Sequence, residues 1–98
     1  MRVRLSHHFC MESLTEALTR VGYCQLGVRK FYVAWRRHEF HLTIKDRGKR
    51  GVVIQLHEDV PYSKPPFHRA RHESKSLEAE MNKILEAYRR IRAAHGQP

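Results

Sequence analysis

The chain has 98 residues, with 19 Lys and Arg against 10 Asp and Glu, a formal charge of +9 at neutral pH, and a pI near 10.2. A chain this short supports one hydrophobic core, so a single domain over residues 1–98 is expected. Hydrophobic residues make up 41%, which excludes wholesale disorder, and no apolar run reaches the roughly 20 residues needed to span a bilayer.

The N-terminal stretch alternates, with Arg2 and Arg4 polar and Val3 and Leu5 apolar, which allows a short strand. It runs into Ser6-His7-His8 and lacks the apolar core of a secretory signal. Ser13-Leu14-Thr15-Glu16 has capping-box spacing, and Leu14, Ala17, Leu18 and Val21 recur at helical intervals. Gly22 stands where a left-handed cap belongs, so the first helix is expected over Ser13 to Val21.

Three strands are expected next. Lys30 to Arg36 places Phe31, Val33 and Trp35 on one face. Glu39 to Lys45 alternates Phe40, Leu42 and Ile44 against His41, Thr43 and Lys45, and Val52 to His57 repeats the pattern. Asp46 to Gly51 between the last two, with glycines at 48 and 51, suits a hairpin loop. His38-Glu39-Phe40-His41 is not a zinc-protease motif, because that motif needs helical spacing and this segment reads as a strand. Val60 to Arg71 holds Pro61, Pro65 and Pro66 and reads as an extended loop. A last helix is expected from Ser74 or Ser76, with Leu77, Met81, Ile84, Leu85, Tyr88 and Ile91 as its buried stripe.

The expected fold is therefore α+β. It is a helix, a three-stranded antiparallel sheet and a helix (α-β-β-β-α) with an optional N-terminal strand, both helices on one sheet face. In element order this resembles the double-stranded-RNA-binding domain and the HicA-type toxin fold. The Gly-Ser-His signature of the toxins has no counterpart here. The lysine-rich helix start of the RNA-binding domains is reduced to Lys75, preceded by Arg69 and Arg71.

Cys10 and Cys24 are the only cysteines and form no CxxC pair. The reading is two partly buried thiols in a reducing cytoplasm, with a single disulfide as the alternative. No cofactor and no membrane association is expected.

Charge points to a polyanion, most plausibly nucleic acid. Arginine outnumbers lysine by about two to one, and its planar fork matches phosphate. Basic residues gather at Arg29, Lys30, Arg36 and Arg37, and in the hairpin loop at Lys45, Arg47, Lys49 and Arg50. A third group, Lys64, His68, Arg69, Arg71, His72 and Lys75, precedes the last helix. There the free amides of the helix start offer a phosphate site gripped by Arg69 or Arg71. Tyr32, Tyr62 and Phe67 are candidates for stacking on bases, with packing as the alternative use, and Trp35 is read as core. RNA is favoured over DNA because no recognition helix appears.

Of the eight histidines, His41 and His57 fall on the polar faces of adjacent strands, opposite or diagonal in an even register. Asp59 follows on the same face. These three could ligate a metal, and the two histidines could serve as general acid and base of a ribonuclease or other nuclease. A non-catalytic role is favoured. The remaining alternative is an interaction subunit, or a homodimer, formed through an exposed sheet edge.

Overall fold

Strict alternation of apolar and polar side chains after residue 31 builds the strands on which the rest of the molecule is assembled. In the computed structural model, residues 1–6, 8–29, 32–60 and 70–96 are described. The elements are β1 (Arg2–Leu5), α1 (Met11–Val21), β2 (Cys24–Arg29), β3 (Tyr32–Arg37), β4 (Phe40–Asp46), β5 (Val52–Asp59), β6 (Ala70–Arg71) and α2 (Lys75–Ala94). A single 3-10 turn, Gly48–Arg50, links β4 to β5.

The expected three-stranded sheet is corrected to six strands, ordered β1-β5-β4-β3-β2 with β6 also on β5. Every pairing is antiparallel. The optional N-terminal strand is present and pairs with the first half of β5, Val52 to Gln55. β2 escapes a periodicity reading because its register with β3 shifts between Gln25 and Gly27, which breaks the alternation. β6 is two residues long, too short to leave a pattern. The element order thus departs from the α-β-β-β-α arrangement on which the resemblance to RNA-binding and toxin domains depends.

β1 and β2 lie on opposite edges, and α1 carries the chain from one to the other. The inward residues Trp35, Leu42, Ile44, Ile54 and Leu56 form one core with Leu14, Ala17 and Leu18 of α1 and Leu77, Met81, Ile84 and Ile91 of α2. Both helices therefore cover the same sheet face, as the apolar stripes require. α1 starts earlier than its capping-box spacing implies: its N-cap is Cys10, with no side-chain cap, and Ser13 is buried within the helix. The Cys10 N–H is instead held by the Tyr88 hydroxyl at 2.9 Å, so a tertiary contact replaces the local cap. Gly22 does cap the other end, at φ 111°. On α2, Ser74 is the cap, accepting the Leu77 N–H at 3.1 Å. Both cysteines are free thiols, and Cys24 is exposed rather than partly buried.

Gly51 marks where β1 meets the β4–β5 connection. Its φ is +88°, and a Cβ there would stand 1.9 Å from the Leu5 carbonyl oxygen. Only glycine permits so close an approach. At the far end of the core, Glu80 is buried beneath the sheet. It accepts the Tyr23 hydroxyl at 2.7 Å and pairs with Arg37 at 3.0 Å. Burial first, and then the Glu80 carboxylate, push the Tyr23 phenol far up from its usual range. No helix among the described residues is long and apolar enough to cross a membrane.

Candidate functional site

The register of the strands sorts the outward side chains into three rows across the sheet. The first joins Arg4, Val53, Lys45 and Tyr32. The second joins Arg2, Gln55, Thr43, Ala34 and Gly27. The third joins His57, His41, Arg36 and Cys24. This is the face that α1 and α2 leave open. Arg2, Arg4, Lys45 and Gln55 are all exposed on it, as are Arg47, Lys49 and Arg50 in the adjoining turn.

Side-chain size falls along the second row from Arg2 to Gly27, and the result is a hollow. A shallow slot of about 620 Å³ opens over Thr43 and Ala34, flanked by Tyr32 and Lys45 on one side and His41 on the other, with Gln55 at its end. That volume lies within the range of small-ligand sites.

In the third row His41 and His57 stand directly opposite one another. His41 Nδ1 and His57 Nε2 are 3.2 Å apart, with the rings edge-on at 4.8 Å between centroids. His57 Nε2 is also 3.3 Å from Asp59 Oδ1, and Asp59 is paired with Arg36 at 2.9 Å. A carboxylate repels a nitrogen lone pair, so the proton of His57 sits on Nε2, donated toward Asp59 and His41. His72 lies beyond, its ring centroid 6.0 Å from that of His57. Burial pulls both imidazoles below the usual histidine range. Arg36 adds to this at His41, His41 adds to it at His57, and Asp59 opposes it at both.

Two imidazoles that hydrogen-bond each other act as one proton-binding unit. Among the described residues, no group of three His, Cys, Asp or Glu side chains is arranged to hold a metal ion.

The third basic group changes most. Lys64, His68 and Arg69, with the stacking candidates Tyr62 and Phe67, lie outside the described residues. Arg71 is exposed, but its guanidinium is paired with buried Glu58 at 2.8 Å. The other oxygen of Glu58 accepts the Ser76 hydroxyl at 2.6 Å, in the first turn of α2. Glu58, delivered by β5, thus brings a carboxylate of the chain's own beside the helix start where a phosphate was expected. His72 and Lys75 are exposed. They stand at the opposite end of β5 from Lys45 and the turn, about 25 Å away along an eight-residue strand.

Sequence reasoning missed Arg2 and Arg4 as members of the site. Their alternation with Val3 and Leu5 was visible, but their partner, β5, lies some fifty residues away. No family model, curated protein or solved structure matches the chain.

Proposed function

We propose that the protein binds nucleic acid, RNA in preference to DNA, across the open sheet face and the β4–β5 turn. The observation that carries this reading is the charge of that surface. Arg2, Arg4, Arg36, Lys45, Arg47, Lys49 and Arg50 gather there against only two carboxylates. Both carboxylates are engaged: Asp59 by Arg36, and Asp46 by the Gly48 N–H at 2.7 Å. The other acidic residues lie on the helices, in the short turns, or point inward. A groove lined by one sign of charge concentrates polyanions, and a sheet flanked by exposed Tyr32 adds a stacking surface. Among the described residues, α2 spends its apolar stripe on the core, which argues against its reading a DNA major groove.

Titrating a labelled RNA across salt concentrations tests this. Arg2, Arg4, Lys45, Arg47, Lys49 and Arg50 neutralising phosphates of a single strand, at about 0.7 each, give a log–log slope near −4. An affinity that stays flat with salt overturns the electrostatic reading.

A second reading, homodimerisation, is favoured by β2. It is an edge strand, and Leu26 and Val28 on it are 56% and 70% exposed.

A further inference from the structure

We propose that the slot over Thr43 and Ala34 is a subsite for one unpaired nucleobase, so that the open sheet selects single strands over duplexes. This rests on the reading of the face as a nucleic-acid surface, and it names what that surface recognises.

The slot combines features that a phosphate grip alone does not need. Its floor is made small by Gly27, where a Cβ would meet nothing within 4 Å, by Ala34 and by Thr43. Its walls are apolar: Leu26 on the edge strand, and the ring of Tyr32, which is 39% exposed. At the other side stands Gln55, whose amide offers both a donor and an acceptor to a base edge. Lys45 lines the same slot. It stands in the row of Arg4, where the phosphates flanking an inserted base would run. Among the described residues, no carboxylate lines the slot.

A duplex keeps its bases stacked and presents phosphates and groove edges, so it cannot fill a recess walled by an aromatic ring and an aliphatic side chain. An unstacked base has a π-face for Tyr32 and an edge for Gln55 and Thr43. A second copy of the chain would bring Arg2, Arg4 and Lys45 toward an equally cationic face, which opposes that occupant across the slot.

The test is fluorescence anisotropy with a labelled single-stranded RNA 12-mer and a duplex of the same length. Wild type, Gly27→Leu, Tyr32→Ala and Gln55→Ala are compared. Gly27→Leu fills open space and is expected to fold, which its melting temperature checks. Gly27→Leu and Tyr32→Ala should each weaken the single strand about fivefold to a hundredfold and leave the duplex affinity unchanged. Equal losses for both ligands, or none for either, overturn the base subsite while the nucleic-acid reading stands. Wild type that binds neither ligand at low salt overturns both. Disruption of a dimer by Gly27→Leu, seen by sedimentation, assigns the slot to a second copy and overturns the subsite.

Discussion

At the scale of single residues, the histidine pair has a measurable signature. The folded-state pKa values of His41 and His57 are lowered. As pH falls through about 6.5 the unfolded chain takes up protons first. Stability is therefore full above that point and declines on acidification, until the folded-state values are passed and the loss levels off. Urea denaturation from pH 7 down to 5 should show this decline, and the His41→Gln, His57→Gln double variant should flatten it. A second signature is Gly51: alanine there meets the Leu5 carbonyl at 1.9 Å, so Gly51→Ala should cost more than about 1 kcal/mol in the same assay. Tyr23→Phe removes a hydroxyl donated to a buried carboxylate, and should lose about 1.5–3 kcal/mol. Trp35 behaves differently, because its buried Nε1 has no hydrogen-bond partner among the described residues. Trp35→Phe discards that orphan donor with part of the ring, and the two effects offset.

At the scale of elements, β3, β4, β5 and α2 were legible because each obeys one period over at least six residues. The opposition of His41 and His57 followed from the same periods. What could not be read was whatever depends on a distant partner. β2 is defined by its pairing with β3 despite the shift at Gln25 and Gly27. The start of α1 depends on Tyr88, seventy-eight residues away. The carboxylate beside the start of α2 could not be foreseen because Glu58 is remote in sequence from Ser76. The edge of the sheet also makes a prediction. If two copies join through β2, a lysine at Val28 should dissociate them, since charge on an exposed edge opposes strand pairing. Sedimentation velocity at several concentrations checks this. A wild-type chain that is monomeric throughout ends the dimer reading.

At the scale of the whole molecule, the two layers differ in charge. Cations and anions are nearly balanced on the helices, while the open face and its turn hold most of the net positive charge. Reversing that asymmetry should matter more than reducing total charge. Arg2→Glu with Arg4→Glu should abolish RNA binding at moderate salt, whereas Arg89→Glu with Arg90→Glu on the exposed side of α2 should leave it near wild type. A filter-binding titration separates these outcomes, and equal losses would mean that net charge alone governs affinity.

The position of β1 also sets an order in time. Arg2 and Arg4 reach their places only by pairing with Gln55 and Val53, which the chain supplies some fifty residues later. On a ribosome adding about 5–20 residues per second, β1 waits several seconds for its partner strand. Through that interval the arginines of the open face are attached to an unpaired segment. The surface that would grip RNA is therefore completed only when the last edge of the sheet closes.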